Sequence, residues 1–286
     1  MNNFDFKTRR YLVLGKTGKT GRRVEQLLTA RGAWVRGLSR VTSPAFDWND
    51  QTANWRNIFT GFDAIYVTYQ PDLAVPQAET DIARLTVAAR QAGVKHIVLL
   101  SGRGESGARK AELILADSGL NYHVIRASWF NQNFTEGFIS EMINNGVVAL
   151  PKGDVPEPFI DANDIAEAVV TCLVVPAIPA GVYEVTGPEL LTFRECVSKL
   201  SEYLGKPIQF VDISVDDFVK QLRRMGFGDN MLWLMDTLFN EVLDGRNSQI
   251  TDSLQLLLQR EPTPFEEFLT KEVHLVPKQV ENSELA

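Results

Sequence analysis

The stretch YLVLGKTGKTGRRV at residues 11–24 contains the tripeptide Gly-Lys-Thr twice, and this tripeptide ends the phosphate loop of many nucleotide triphosphatases. That loop also needs a glycine five residues before the glycine of the tripeptide. The chain has Arg10 and Val13 at these two positions, so a triphosphatase is not predicted. The remaining pattern is Gly15-x-x-Gly18-x-x-Gly21, which suggests another way of binding phosphate.

Glycines at this spacing, between an apolar segment and a helical one, are typical of the strand-to-helix turn of dinucleotide-binding folds. The first permits a tight turn, the second admits a pyrophosphate close to the backbone, and the third lets helix and strand pack closely. Free amides at the helix N-terminus then bind the anion. An ordinary strand-to-helix turn is the alternative. The residues predicted to bind the cofactor here are Gly15, Thr17, Gly18, Lys19, Thr20 and Gly21.

The end of the second predicted strand indicates which dinucleotide binds. An acidic residue there would bind the ribose hydroxyls of NAD, but the chain has Ser39 and Arg40. A guanidinium suits the 2′-phosphate of NADP, so NADPH is favoured, with Ser39 as a further donor. Asp47 can accept a hydrogen bond from the adenine amino group. Solvated surface roles for Arg40 and Asp47 remain open.

Strands and helices alternate through the first half of the chain. Strands are predicted at 11–14, 33–38, 63–68, 95–100 and 122–126, with a short extended piece at 45–48, and helices at 22–31, 51–60, 76–92 and 108–118. This alternation predicts an α/β fold, a Rossmann-type doubly wound parallel sheet with a smaller C-terminal α/β lobe. We expect a dinucleotide-binding domain at 1–150, a substrate-binding lobe with interleaved late strands at 151–277, and a disordered tail at 278–286.

Composition excludes several classes of protein. The net charge is −7 over 286 residues, with scattered basic residues, so nucleic-acid binding is not expected. No signal peptide and no apolar membrane span is predicted. Two isolated cysteines, Cys172 and Cys196, are typical of reduced core residues in the cytoplasm. The histidines are far apart, so no metal site is predicted. The chain is expected to be a monomer or homodimer.

Eight segments of the chain resemble a known family. They are the glycine turn, Arg40, FDW at 46–48, GVKHIVLLS at 93–101, SGLNYHVIR at 118–126, WFNQNF at 129–134, PFIDANDIA at 158–166 and GPELLT at 187–192. Together they resemble the NmrA-like branch of the atypical short-chain dehydrogenases/reductases. Within it, the chain is most similar to the festuclavine synthase/agroclavine dehydrogenase group of ergot-alkaloid reductases and their bacterial relatives. The resemblance covers residues 10–272.

The resemblance implies NAD(P)H in an extended pose along the strand edge, and a substrate cleft between the main domain and the lobe. Thr68, Tyr69 and Gln70 follow a strand where the family's chain passes over the cofactor. Trp129, Phe130 and Asn133 can line an aromatic substrate pocket, although core packing is an alternative for the two aromatics.

Many short-chain reductases carry Ser, Tyr and Lys, and the Tyr protonates a carbonyl oxygen. Here Ser101 ends its strand and Lys110 keeps its spacing, but Ser106 stands at the tyrosine position. The tyrosine mechanism is therefore absent, unless Tyr69 or Tyr122 replaces it. Ser101 is predicted to orient the substrate or the nicotinamide. Lys110 would bind the nicotinamide ribose if it points inward, and otherwise faces solvent.

These observations favour an NADPH-dependent reductase that transfers hydride to an activated C=N or C=C bond or to a quinone. Such acceptors need little from the protein beyond positioning. Trp129 and Phe130 favour a small aromatic or cyclic acceptor. The alternative is a non-catalytic, NADP-binding redox sensor that acts through a protein partner, which the missing tyrosine would also suit.

Overall fold

The computed structural model describes residues 6–273. The predicted tail at 278–286 and His274 lie outside these residues. The strands are β1 (Arg10–Leu14), β2 (Trp34–Leu38), β3 (Ala64–Val67), β4 (His96–Gly102), β5 (Asn121–Ala127), β6 (Val147–Leu150), β7 (Gly181–Val185) and β8 (Gln209–Asp212). Six of them form one parallel sheet in the order β2-β1-β3-β4-β5-β7, and β6 pairs with β8 in a second sheet.

Helices cover both faces of the large sheet, which confirms the α/β doubly wound fold. The helices are α1 (Lys19–Ala30), α2 (Trp55–Phe59), α3 (Gln77–Ala92), α4 (Ser106–Ala116), α5 (Phe138–Asn144), α6 (Ala162–Val174), α7 (Phe193–Leu204), α8 (Val215–Arg224), α9 (Asp229–Thr237), α10 (Ser253–Leu258) and α11 (Phe265–Glu272). A π-helical segment, Leu238–Val242, continues α9.

The continuous apolar runs of the central strands are explained by two cores, one on each face of the sheet. In β1, Leu12 and Leu14 enter one core, whereas Tyr11 and Val13 enter the other. Successive side chains of a strand point to opposite faces, so a strand covered on both faces needs apolar residues at every position.

A third core lies in the lobe, between β6, β8 and the helices α5, α7, α8, α9 and α11. Phenylalanines dominate it, among them Phe134, Phe193 and Phe239. Strand β7 and helix α6, from the second half of the chain, pack with the large sheet rather than with this core. The domain boundary at residue 150 itself stays a prediction.

Local sequence signals explain several helix ends. Thr192 and Glu195 form a capping box at α7, Ser214 caps α8, and Gly93 ends α3 in the left-handed conformation. The extended piece predicted at 45–48 forms no strand. Phe46 and Trp48 instead pack in an aromatic cluster with Trp55, so ring packing holds this segment without a strand partner.

Helix α1 begins at Lys19, three residues before the predicted start at Arg22. The glycine turn is therefore shorter than expected, and three of the predicted cofactor ligands, Lys19, Thr20 and Gly21, lie inside the first helical turn. Cys172 and Cys196 are buried free cysteines, as predicted. Within residues 6–273, no helix combines the length and the apolar character needed to cross a bilayer.

Candidate functional site

The glycine turn after β1 is too crowded for side chains at two of its positions. Gly15 has φ +83°, and a Cβ there would lie 2.1 Å from Thr68 Oγ1. A Cβ at Gly21 would lie 2.1 Å from the carbonyl oxygen of Gly15. These contacts give a physical reason for two of the three glycines. At Gly15 the side chain of Thr68 occupies the space of a Cβ, and at Gly21 α1 crosses the end of β1 at backbone contact.

The N-terminus of α1 offers unpaired donors to an anion. The first amides of a helix lack intrahelical acceptors, and the N-cap residue is Gly18, which has no side chain to satisfy them. The amides of Lys19, Thr20 and Gly21 are therefore suited to a pyrophosphate. The hydroxyl of Thr20 is buried and accepts a hydrogen bond from Tyr66 at 2.8 Å.

A cavity of about 580 Å³, here called the outer cavity, opens beside this turn. It brings together six of the predicted cofactor ligands, namely Gly15, Thr17, Ser39, Arg40, Asp47 and Gln70. Arg40 is exposed and forms no ion pair with any residue from 6 to 273. Its guanidinium is thus available to a phosphate, and the donor set suits a phosphorylated dinucleotide.

Two of the outer-cavity side chains also hold their own loops. Asp47 accepts a hydrogen bond from the backbone of Asn49 at 3.0 Å. Ser39 Oγ accepts from the amide of Val41 at 3.4 Å, which leaves its hydroxyl proton for a ligand. Thr68 lines neither cavity described here, because its hydroxyl donates to the carbonyl of Leu14 and braces the turn.

A second cavity of about 350 Å³, here called the inner cavity, lies between the ends of β4 and β5 and the lobe. Pro71 and Met231 line both cavities, so the two adjoin. The inner cavity contains six more predicted site residues: Lys19, Tyr69, Ser101, Trp129, Phe130 and Asn133.

Lys19 reaches the inner cavity although it belongs to the glycine turn. Its Nζ donates to Asn133 Oδ1 at 2.6 Å. Burial lowers the pKa of Lys19 to about 8, and the charge of Glu136 opposes part of this shift. Lys19 is therefore a residue of the glycine turn whose side chain lines the inner cavity.

The two predicted catalytic residues are placed differently from the expectation. Ser101 lines the inner cavity, but its hydroxyl donates to Glu112 at 2.6 Å, so this proton is already engaged. Lys110 lines neither cavity. Its side chain is 69% exposed and its Nζ lies 3.7 Å from Glu79 Oε2, so the expected contact with the nicotinamide ribose is corrected to a surface ion pair.

No tyrosine replaces the missing proton donor. Tyr69 lines the inner cavity, but its hydroxyl donates to Asp81 at 2.6 Å. Burial, and then this hydrogen bond, raise the pKa of Tyr69 above its usual value. Tyr122 does not line the cavity.

The predicted substrate residues serve the core and the cavity together. Trp129 packs edge-on against Phe193 at a centroid distance of 5.2 Å, and Phe130 pairs with Ile160 through a backbone bridge. Both also line the inner cavity, so the two alternatives for these aromatics do not exclude each other.

The structure adds acidic residues to the inner cavity that the sequence did not indicate. They are Asp72, Glu105, Glu136 and Glu157. Glu157 is buried, and burial raises its pKa to about 7, against an opposing effect of Arg103. One sequence signal was present: Glu105 follows β4 at the carboxyl edge of the sheet, where ligands of such folds bind. Within residues 6–273, no cluster of three potential metal ligands occurs.

Comparison with known protein families agrees with the dinucleotide-binding geometry of this site. The model of the NmrA-like family matches residues 7–269, so the chain belongs to the NmrA-like family. Prestalk A differentiation protein A of Dictyostelium discoideum is 26% identical over 90% of both chains. Agroclavine dehydrogenase of Claviceps fusiformis is 28% identical, covering 91% of this chain and 96% of its own. NAD(P)H azoreductase of Xenophilus azovorans is 27% identical, with 90% and 96% covered.

Solved structures show the same fold. The Citrobacter triphenylmethane reductase complexed with NADP(H) has a TM-score of 0.76 at 20% identity, covering 92% of this chain and 99% of that one. An Escherichia coli quinone oxidoreductase with NADPH has a TM-score of 0.72 at 21% identity, with 93% and 100% covered. The negative transcriptional regulator NmrA, in complex with NAD, has a TM-score of 0.68 at 15% identity, with 94% and 96% covered.

Proposed function

We propose that this protein is an NADPH-dependent reductase that transfers hydride to an activated C=N or C=C bond, or to a quinone, of a small aromatic or cyclic molecule. The observation that carries the proposal is the junction of two cavities at Pro71 and Met231. One cavity has the donors that a phosphorylated dinucleotide needs. The other is lined by aromatic and methionine side chains that suit a flat acceptor.

Each part of the outer cavity has a role in this proposal. The amides of Lys19, Thr20 and Gly21 bind the pyrophosphate, because they are the unpaired donors of α1. Arg40 and Ser39 bind the 2′-phosphate, and Asp47 accepts from the adenine. Bound in this way, the reduced nicotinamide supplies the hydride.

The walls of the inner cavity position the acceptor. Trp129 and Phe130 offer ring surfaces, and Asn133 accepts a hydrogen bond from Lys19. Helix α9 closes the opposite side with Met231 and Met235. Exclusion of water and a fixed approach of the acceptor are contributions to the rate that need no side-chain nucleophile.

The relatives support this assignment without selecting the acceptor. Their names include an agroclavine dehydrogenase, an azoreductase, a triphenylmethane reductase and a quinone oxidoreductase. The regulator NmrA has the same fold, so a non-catalytic cofactor sensor is the second candidate. As part of this proposal, we also predict that the protein is located in the cytoplasm and is a monomer or a homodimer.

The test is NADPH oxidation with a panel of quinones, cyclic iminium compounds and cationic dyes, alongside calorimetric titration with NADPH. Turnover of at least one acceptor above the protein-free rate supports the reductase. Stoichiometric NADPH binding without turnover of any acceptor supports the sensor instead. Absence of NADPH and NADH binding contradicts both.

A further inference from the structure

Two carboxyl groups meet at the wall of the inner cavity. Asp72 lies between β3 and α3, and Glu105 directly precedes α4. The two carboxyl groups interact with each other, and the charge of Asp72 raises the pKa of Glu105, which favours a proton on the pair. Asp72 is oriented by the amide of Ala74, which donates to its Oδ1 at 2.8 Å.

The backbone makes room for this pair. A Cβ at Gly102 would lie 2.0 Å from Glu105 Oε1, so a side chain at this position would displace the carboxyl group from its place. Glu105 is 7% exposed and lines the inner cavity. Its Oε2 has no hydrogen-bond partner in the part of the chain that the structure describes. A buried polar atom of this kind is costly unless a ligand satisfies it.

Neighbouring charges keep the proton on the pair. Burial, and then the charge of Asp72, raise the pKa of Glu105 well above its usual value, and Glu112 on α4 adds to this effect. Neither Asp72 nor Glu105 forms an ion pair within residues 6–273. The nearby Arg103 directs its guanidinium away, to Ser128 and to the carbonyl of Asn247. The other ionisable residues lining the cavity are Lys19, Tyr69, Glu136 and Glu157.

We propose that Glu105 is the proton donor of this site and that Asp72 positions it, so that the protein can reduce neutral conjugated carbonyl acceptors such as quinones and enones. The inference rests on the proposed function and adds the proton source that the missing tyrosine left open. It also gives a role to a buried carboxyl group in a cavity whose lining tyrosine, Tyr69, has its hydroxyl engaged by Asp81.

The step balances as follows. The acceptor gains a hydride at carbon, and the electron pair of its conjugated double bond moves to the carbonyl oxygen. The O–H bond of Glu105 breaks as a new O–H bond forms on the acceptor. Glu105 is left as a carboxylate beside Asp72, and water returns the proton, because two adjacent buried carboxylates cannot both remain charged.

A cationic acceptor provides the matched control. A cyclic iminium compound or a cationic triarylmethane dye becomes neutral on receiving hydride, so its reduction needs no proton. Glu105→Gln keeps the size of the side chain and a hydrogen bond to Asp72 but cannot give up a proton. We expect kcat to fall by about 100- to 10,000-fold with a quinone and to change by less than about threefold with the cationic acceptor.

The pH profile tests Asp72 separately. With the quinone, kcat should fall as the pH rises through the pKa of Glu105, because the acid form is lost. Asp72→Asn removes the negative charge that raises this pKa, so the fall should occur at lower pH. With the cationic acceptor, neither variant should change the profile. Glu79→Gln, an exposed carboxyl outside both cavities, is the control and should match the unmodified protein with both acceptors.

A measurement without turnover tests the protonation itself. In difference infrared spectra of the full chain at pH 7, without cofactor, we expect a carboxylic-acid carbonyl band that Glu105→Gln weakens and Glu79→Gln leaves unchanged, and the remaining acid band belongs in part to Glu157. Two results would overturn the role of Glu105 as proton donor without touching the proposed reductase function. One is that Glu105→Gln slows the reduction of both acceptors equally, and the other is that the acid band is the same with and without Glu105. Failure of the unmodified protein with every acceptor overturns the proposed function and this role with it.

Discussion

Arg40 is the residue on which the preference for NADPH depends. It is exposed in the outer cavity, and no acidic side chain competes for it among the described residues. A bound 2′-phosphate would therefore gain a charge-assisted hydrogen bond without breaking an existing one.

Replacement of Arg40 tests this preference. We expect Arg40→Ala to weaken NADPH binding by roughly 10- to 100-fold, because a hydrogen bond to a charged group contributes about 1.5–3 kcal/mol. Binding of NADH should change by less than about threefold. Calorimetric titration of both cofactors measures the difference, with Arg90→Ala on the distant surface of α3 as the control. Equal losses for NADPH and NADH would contradict the phosphate role.

Glu157 should make folding stability depend on pH. Burial raises its pKa from 4.5 to about 7, so the folded state holds this proton at pH values where the unfolded state has lost it. The folded state then binds more protons than the unfolded state between about pH 4.5 and 7, and the free energy of unfolding falls across that window as the pH rises.

Glu157→Gln removes this contribution. Between pH 5 and pH 8, the unmodified protein should lose up to about 3 kcal/mol more of its free energy of unfolding than the variant does. Urea unfolding at the two pH values measures the change, with Glu79→Gln as the control. If the variant and the unmodified protein show the same pH dependence, Glu157 titrates normally in the folded state.

At the scale of elements, the position of α1 decides whether the cofactor site exists. The helix approaches β1 so closely that the carbonyl of Gly15 occupies the place of a side chain at residue 21. The pyrophosphate amides belong to the same helical turn, so a displaced helix end displaces the donors as well.

Gly21→Ala should therefore affect stability and binding together. The methyl group would lie 2.1 Å from the Gly15 oxygen, and relief of this clash should cost about 1–3 kcal/mol and weaken NADPH binding at least about tenfold. Gly228→Ala is the matched control, since φ there is −74° and no atom lies within 4 Å of the added Cβ. Thermal melting and calorimetry measure both effects, and unchanged NADPH binding in Gly21→Ala would contradict the placement of the donors.

At the scale of the whole molecule, Arg23 joins parts of the chain that are far apart in sequence. From α1 it binds both oxygens of Glu272 on α11 at 2.8 and 3.0 Å, and Asn163 on α6 at 2.9 Å. Its side chain is 9% exposed and that of Glu272 is 11% exposed, so the pair is shielded from water. The contact ties the end of the lobe to the cofactor helix.

Arg23→Met should leave Glu272 charged, buried and unpaired. The expected loss is about 3–5 kcal/mol, or roughly 6–20 °C in melting temperature for a domain of this size. Lys271→Met, which breaks an exposed ion pair with Glu267 on the same helix, should cost less than about 1 kcal/mol. Differential scanning calorimetry compares the two, and similar melting temperatures would show that the buried pair does not stabilise the junction.

The sequence by itself determined five of the six strands of the large sheet, the helices α1 to α4 and the glycine turn, because apolar periodicity and glycine spacing are local properties of the chain. It also indicated Arg40 as a cofactor ligand at the end of β2, because the position of a residue along one strand is enough to place it at the carboxyl edge of the sheet. It did not determine that Lys110 faces solvent, that the proton of Ser101 is engaged by Glu112, or that Asp72 meets Glu105.

Only the tertiary structure decided these points, for a physical reason. The direction of a helical side chain and the pKa of a carboxyl group depend on what packs against them, and those neighbours come from distant parts of the chain. Asp72 and Glu105 are separated by a helix and a strand in sequence, yet they line the same cavity because the sheet brings their two loops to the same edge.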